Sequence, residues 1–574
     1  MASSPNYWLR RKNISRRTFL YGSGLTAAGV LTSIACGSGD DDDDDGGQSS
    51  GPGAAGAGQA TSTALPVSTV AAKTGGTLNL IWNVADAQLD PHSTTEHLSP
   101  EIYRAVSHGL LKQESVTEKP VADLAQSWEK PDPTTLVFKL NPAAKWQNIA
   151  PLNGRAVTAE DVVYSLKRIG TPGPAAPRAS TFALIDSYTA TDKNTVTLKL
   201  KSPFVPILVP LSDKWSVIVA PEIVEKFGDL KRGESIVGCG PFICQSAESS
   251  KGATLVRNPD YWGKKPYLDK VVYTTILDAE ARIAAFKSGQ ADVSDILPAL
   301  LVDQFKQSDV QIYEFDQVGV GISLIGGPND KEPLNDERVR RAINLVIDRT
   351  VMGQAAFPGS KLTNAGLFGN PVWGVPEKEV AEMPGFHGKT TDAEIKEAKD
   401  LISAYAGGKS VEIVCNTTKA YNAHHIDRAE ALVPMLKQIG IDLKLNVMEF
   451  GAMKDAETKK QLQFTAATYA AYGDPHTPLN NSFTSTGTRN YWSFNDPTYD
   501  GLVAKQAQEE DVAKRKQMVI DLQKYLMKGT PVSSNIWFQK TPIAVRKKVK
   551  NFQGTLSAGS SASGWYLADT WLDA

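Results

Sequence analysis

The chain has 574 residues, 41% of them hydrophobic, with 61 Lys+Arg against 63 Asp+Glu. That length has room for about three or four domains or lobes, and the apolar content excludes disorder of the whole chain. A formal net charge of −2 lacks the basic footprint of general nucleic-acid binding, and 4 cysteines are too few for a disulfide scaffold.

The charge is unevenly placed. Residues 1–35 carry Arg10, Arg11, Lys12, Arg16 and Arg17 and no acid, whereas residues 75–574 hold 55 basic and 57 acidic residues. Residues 1–36 read as a targeting signal, which is set aside from fold reasoning. Ser15-Arg16-Arg17-Thr18-Phe19-Leu20 resembles the twin-arginine export motif. The apolar stretch that follows, Leu25 to Ala35, falls short of the about 20 residues that span a bilayer. Ser33-Ile34-Ala35-Cys36 resembles a lipobox, with Ser33 where that pattern prefers Leu; it implies cleavage before Cys36 and lipidation of that cysteine. Ordinary cleavage nearby, with Cys36 lost or unmodified, is the plainer alternative. Residues 37–74, rich in Gly, Ser, Ala and Thr with the acidic run Asp40 to Asp45, cannot offset chain entropy by burial and read as a disordered tether.

Order is expected from Gly75 onward. Thr77 to Trp82 is an apolar strand, Leu89-Asp90-Pro91-His92 a turn, and Ile102 to Leu111 a short helix. Strands follow from Leu136 and over Asn194 to Lys201, where Val196, Leu198 and Leu200 share one face. Thr158 with Asp161 three residues on is a helix-capping signal. Asn335 or Asp336 caps the strongest helix, whose Val339, Ala342, Ile343, Val346 and Ile347 form a single apolar stripe. Asp392 to Ala406 is another helix, stopped by Gly407. Ala423 to Ile439 is a third, followed by Gly440 and a strand from Ile441. Helix, glycine, then strand is the rhythm of a mixed α/β fold with several lobes.

No phosphate-binding loop, third glycine of a dinucleotide fingerprint, nucleophile elbow or His-Glu-x-x-His is present. His92, Glu96 and His97 lie near Asp90, and the adjacent His424 and His425 would point about 100° apart on a helix; both groups read as structural or solvated sooner than as metal ligands. Cys239 and Cys244 would stand about 16 Å apart on an extended strand, beyond disulfide reach, and Cys415 reads as core. No cofactor, metal or catalytic residue is therefore expected, which lowers the odds of an enzyme. Aromatic residues are plentiful in turn-rich context, including Tyr469, Tyr472, Tyr491-Trp492 and Trp537-Phe538, and suit either ligand pockets or the core.

Several ordered segments carry a resemblance. Pro120-Val-Ala-Asp-Leu-Ala-Gln-Ser-Trp128-Glu129, Lys145-Trp146, Leu152-Asn-Gly154 through Thr158-Ala-Glu-Asp-Val-Val-Tyr164 and Gly238-Cys-Gly240-Pro241-Phe242 come first. Arg257-Asn258-Pro259-Asp260-Tyr261-Trp262, Phe286-Lys-Ser-Gly289 and Leu334-Asn-Asp336-Glu-Arg338 follow. In this order they resemble the extracytoplasmic solute-binding proteins of ABC importers, in the oligopeptide-, dipeptide- and nickel-binding branch (family 5). The resemblance implies a periplasmic-binding-protein-like fold of type II, two α/β lobes closing on a ligand plus a third lobe. Lobe I would comprise about 75–112, 221–316 and 536–574, lobe II about 113–220 and lobe III about 317–535, with I and III as the jaws.

The resemblance further implies a monomer at the outer face of the cytoplasmic membrane, held by its N-terminal lipid. There it would capture a peptide or peptide-like solute and deliver it to permease subunits with cytoplasmic ATPases. Candidate ligand-binding residues are Asp86, Phe450, Tyr469, Ala471, Tyr472 and Trp537. Peptide-binding relatives carry an Asp for the ligand's α-amino group where this chain has Ala471, in Ala470-Ala471-Tyr472-Gly473-Asp474-Pro475. Asp474 could replace it only with a remodelled loop. Sugar oligomers, opines, modified peptides and metal chelates are the alternative ligands; a chemosensory binding protein or a hydrolase without a local motif are the alternative functions.

Overall fold

The computed structural model describes residues 68–573 except 83–87, 95–97, 115–118, 174–175, 295–300, 326–331, 357–358, 360–361, 364–366, 368–372, 419–423, 471–473, 492, 530–532 and 555–564. Cys36, Asp86, Glu96, His97, Ala471 and Tyr472 lie outside the described residues.

The first half of the chain opens on β1 (Thr77–Trp82) and α1 (Leu98–Val106). The sequence places a helix at Ile102 to Leu111; the observed one starts four residues earlier and ends at Val106. Tertiary packing sets that end. Gly240 N–H bonds the Val106 carbonyl at 2.8 Å, and a Cβ on Gly240 would stand 2.7 Å from Val106 carbonyl carbon. Leu111 then leaves the helical path to pair with Ala122.

An antiparallel four-stranded sheet follows, in the order β2 (Ala125–Asp132), β3 (Thr135–Leu140), β5 (Thr195–Leu200), β4 (Ile185–Asp192). Leu136, Phe138 and Leu140 on β3 and Val196, Leu198 and Leu200 on β5 are buried, with Leu136 opposite Leu198 and Phe138 opposite Val196, so one face is apolar. Helix α2 (Ala159–Gly170) covers that face with Val162, Leu166 and Ile169. Its start is fixed by the Asp161 carboxylate, which accepts the Thr158 N–H at 2.9 Å and both Arg155 guanidinium nitrogens at 2.7 and 2.8 Å.

The large sheet has eleven strands. Its first-half members are β6 (Phe242–Glu248), β7 (Gly252–Arg257), β8 (Lys270–Thr275) and β9 (Val293–Ser294), in the order β6-β7-β8-β1-β9. β1 is parallel to both β8 and β9, and its Leu80, Ile81 and Trp82 are all buried, as expected of a central parallel strand. The same sheet continues through β10 (Val310–Ile325), which leads into the second half.

There α3 (Glu337–Val346) is capped by Asp336, which accepts the Arg338 N–H at 2.8 Å. Ile347, the last residue of the sequence stripe, is already extended at ψ 104 but remains in the core. α4 (Asp392–Ala406) carries a Thr391/Glu394 capping box and ends on left-handed Gly407, φ 59. β11 (Val411–Thr418), α5 (His424–Lys437) and β12 (Ile441–Met448) form a parallel unit around Ile413, Cys415, Leu432, Ile441 and Leu443. α6 (Phe450–Thr458) and β13 (Phe464–Ala470) complete this part of the sheet. Three further helices, α7 (His476–Phe483), α8 (Pro497–Gln506) and α9 (Val512–Gly529), pack on one another through Leu479, Phe483, Tyr499, Val503, Val519 and Leu522. β14 (Ser533–Arg546) then returns the chain to the first half.

The apolar interior divides accordingly. One core takes residues between Leu78 and Val293, Ala507, and Ile543 to Leu572, and a smaller cluster beside it takes residues between Ile81 and Val310 together with Ala544. The second-half cores run from Leu334 to Phe464 and from Leu367 to Met527. β10 and β14, antiparallel and adjacent, pass between these cores. Cys239 and Cys415 are buried free thiols and Cys244 a half-buried one.

Candidate functional site

The strand directions place two edges face to face. β1 is parallel to β9, and β9 pairs antiparallel with β14 through Val293↔Val545 and Ser294↔Ala544. The C-terminal end of β1 at Trp82 therefore points along β14 toward its lower residue numbers. In the second half β13 pairs with β10 from Thr465↔Ile325 to Ala470↔Val320, so its C-terminal end points along β10 toward the first half. β11 and β12 are parallel to β13 and end on the same edge. The C-terminal edges of both half-sheets thus face each other across the segment where β10 and β14 cross. In open α/β sheets, ligands bind at the carboxyl ends of parallel strands.

Three sequence candidates have their backbones at this crossing. Phe450 is the first residue of α6, just beyond the C-terminal end of β12, and Glu449 caps that helix by accepting the Ala452 N–H at 3.1 Å. Tyr469 lies on β13 opposite Gly321, whose other neighbour is Phe538 on β14, beside Trp537. Asp86, Ala471 and Tyr472 follow the C-terminal ends of β1 and β13 in sequence.

The residues just after 471–473 form a buried polar platform that sequence reasoning missed. Asp474 caps α7, accepting the His476 N–H at 2.8 Å, and takes both terminal nitrogens of Arg515 at 2.7 Å each. Both side chains are 5% exposed. The Arg515 guanidinium lies 4.9 Å from the Trp373 ring centroid and donates through Nε to Gln506. Gln506 in turn donates to His476 Nδ1 at 2.8 Å, and burial pushes the His476 pKa down to about 4. Asp474 is thus fully engaged inside its own half and does not present a free carboxylate to a ligand ammonium. An Asp-Pro pair opening a helix was a visible capping signal; the partner 41 residues further on was not.

A second buried pair stands behind β1. Arg168 of α2 grips Asp90 through both carboxylate oxygens, 3.0 and 2.5 Å. Burial alone would raise the Asp90 pKa; Arg168 and His92 more than reverse it. His92 Nε2–H donates to the Val217 carbonyl at 2.9 Å, and burial holds the ring neutral, its pKa near 3. His92 therefore ties the turn after β1 to the 217 segment. Among the described residues no three His, Cys, Asp or Glu side chains converge as a metal site.

Comparison with known proteins adds to this geometry. The family model for bacterial extracellular solute-binding proteins, family 5, matches residues 119–514. The periplasmic murein peptide-binding protein of Escherichia coli (strain K12) is 26% identical over 482 residues, covering 79% of this chain and 86% of the relative. The periplasmic oligopeptide-binding protein of the same organism is also 26% identical, over 479 residues, 77% of this chain and 84% of the relative. The Helicobacter pylori periplasmic binding protein solved with peptide STSA shares the fold with TM-score 0.71 at 22% identity, covering 88% of this chain and 99% of that one. The chain belongs to the bacterial extracellular solute-binding proteins of family 5, the binding components of ABC importers, with their mixed α/β type II fold.

Proposed function

We propose that this protein captures a peptide or peptide-like solute outside the cytoplasmic membrane, in the crevice where the two half-sheets face each other, and hands it to an ABC permease. The observation that carries this reading is the opposed pair of C-terminal strand edges at the β10/β14 crossing, with Phe450, Tyr469 and Trp537 on the elements that border it. The peptide class rests on the two Escherichia coli relatives, whose names record murein peptide and oligopeptide binding. In this reading residues 75–112, 221–316 and 536–574 form lobe I, 113–220 lobe II and 317–535 lobe III. The separate cores on either side of the crossing support the separation of lobe III from lobes I and II, which share one core. A ligand that touches both edges favours the closed arrangement by its differential affinity, with no chemistry performed on it.

The N-terminal reading completes the proposal. The twin-arginine motif around Arg16-Arg17 exports the chain, Cys36 carries the lipid, residues 37–74 are the tether, and the protein acts as a monomer at the membrane's outer face. Mass spectrometry of the membrane-extracted protein should find its first residue to be a lipid-modified Cys36; an unmodified N-terminus downstream would overturn this part. For the ligand, calorimetry against pools of di- to pentapeptides, their N-acetylated forms, oligosaccharides and opines tests the class. The absence of Asp at 471 leads us to expect that N-acetylation costs little affinity. Binding confined to a non-peptide pool would refute the peptide reading.

A further inference from the structure

The edge of the first half-sheet away from the crevice carries a basic ridge. Beyond Arg546, the last residue of β14, come Lys547, Lys548, Val549 and Lys550, which makes four cations in five residues. Lys547 stands about 30 Å along the strand direction from the Gly321↔Phe538 crossing. Two of these charges are neutralised in place: Arg546 pairs with Asp309 at 2.5 Å and Lys548 with Asp292 at 2.8 Å. Lys547 donates to the Ser308 carbonyl at 2.8 Å, and neither it nor Lys550 pairs with a carboxylate among the described residues. Asp573, the acid that feels Lys550, is already held by Lys73 at 2.7 Å. Both lysines line a cavity of about 360 Å³ with Ser68, Gln311, Tyr313 and Asn551, and no acid is among its described walls.

The chain toward the N-terminus leaves from the same place. Asn551 turns at φ 51, a left-handed angle that asparagine tolerates, and its side chain accepts the Ser68 N–H at 2.7 Å. Lys73, on Asp573, and Gly75, whose N–H donates to the Tyr267 carbonyl at 2.7 Å, fasten the next residues to the first half. Between these ties Val70 is 57% exposed. An exposed aliphatic side chain close in sequence to the tie that borders two uncompensated lysines is the composition of a surface that meets lipid headgroups.

We infer that the Lys547/Lys550 cavity is a docking site for the phosphate of anionic lipid headgroups, and that it turns the crevice away from the membrane. The inference rests on the N-terminally anchored reading proposed above. In that reading a Gly-rich chain from Cys36 to Ser68 spans about 30 Å, so the ridge stays within reach of the surface that holds the lipid. The lipid retains the protein but leaves it free to turn; a charged foothold at the root of the tether fixes which face is down. Ammonium groups suit a headgroup phosphate as point charges with several N–H donors. With the foothold at one end of β14 and the crevice toward the other, capture faces the solvent.

The test uses the full chain without its lipid, carrying Cys36→Ser. It also carries Arg10→Gln, Arg11→Gln, Lys12→Gln, Arg16→Gln and Arg17→Gln, so that the charges of the signal do not contribute. Co-sedimentation with vesicles of equal parts phosphatidylglycerol and phosphatidylcholine is compared with pure phosphatidylcholine. We expect binding to the anionic vesicles alone, weakening as salt rises. Each lysine near an anionic surface contributes about fivefold, so Lys547→Gln with Lys550→Gln should lower the affinity about 25-fold. Lys396→Gln with Lys399→Gln, exposed on α4, should change it little. Hydrogen exchange should slow on the vesicles from Lys547 to Asn551 and stay unchanged from Gly321 to Ile325. Equal binding to both vesicles, equal losses from the two lysine pairs, or protection at Gly321 to Ile325 overturns the docking site. So does release from the vesicles by millimolar inorganic phosphate at constant ionic strength, which would make a soluble anion the occupant. Mass spectrometry reads the anchor separately. An unmodified Cys36 with ridge-dependent binding removes the anchor and keeps the docking site; a lipidated Cys36 without ridge-dependent binding removes the docking site and keeps the anchor.

Discussion

Substitution of Asp474 by Ala removes the only charge opposite Arg515 in the bidentate pair and leaves a guanidinium whose side chain is 5% exposed. Breaking a buried pair from one side costs about 3–5 kcal/mol, because the surviving charge stays desolvated without compensation. The lost bond to the His476 N–H adds about 1 kcal/mol at the start of α7. The Trp373 face and Gln506 still contact Arg515, so the lower part of the combined range is expected, about 4–5 kcal/mol. Urea unfolding followed by tryptophan fluorescence should show the second-half transition moving to lower denaturant with its slope unchanged. The double replacement Asp474→Leu with Arg515→Met removes both charges and should recover most of the loss, since apolar replacement of a buried pair is often neutral or stabilising. A single variant that loses under about 1 kcal/mol, or a double variant no better than the single, would refute the claim that the platform is held by a desolvated ion pair.

Three further perturbations probe other levels of the structure. Phe286→Ala empties a fully buried site between Phe305, centroids 5.4 Å away, and the Arg546 guanidinium, 4.9 Å from the ring, and should cost about 3–5 kcal/mol in equilibrium unfolding. Gly407→Ala meets no atom within 4 Å but forces a side chain into φ 59, so the cost should be backbone strain alone, about 1 kcal/mol; a larger loss would mean unrecognised crowding. Burial lowers the His476 pKa to about 4, so the unfolded chain takes up a proton at higher pH than the folded one. Its contribution to stability is then complete above the ordinary histidine value, about 6.5, and is lost as pH falls from there toward 4. Ring-proton resonances of His476 that titrate near 6.5 in the folded protein would contradict this.

What the sequence made legible was chiefly local. Thr158 with Asp161, Asp336, and Gly407 each mark a helix end through a side chain or a backbone angle within three residues of the boundary, and each is found where the pattern puts it. The stripe Val339, Ala342, Ile343, Val346 and Ile347 turns inward together. The helix expected at Ile102 to Leu111 failed for a long-range reason, since Gly240 sits against the carbonyl end of α1 and claims the Val106 oxygen. The buried platform at Asp474 was equally out of reach: nothing near Asp474 in the chain announces Arg515 as its partner, nor Gln506 and Trp373 as the neighbours of Arg515. The same holds for Phe204, whose ring stands against His476 from far along the chain.

The crossing itself suggests how two cores can move while a single sheet runs through both. β10 and β14 pair from Val310↔Arg546 to Asp316↔Lys540, and pairing resumes at Gly321↔Phe538; β10 advances five residues where β14 advances two. The three extra residues of β10 fall between the last core residue of the first half on that strand, Val310, and Leu334, the first in the second half. Bending there breaks little pairing and separates no buried apolar residues of those cores, so in the two-lobe reading it is the place of least resistance. Deleting residues 317–319 should even the register and stiffen the crossing. Shortening an irregular connection carries little entropic penalty, so stability should hold or rise slightly. Hydrogen exchange of the amides from Asp316 to Gly321 should slow. A deletion that leaves that exchange as fast as in the wild type would place the bending elsewhere.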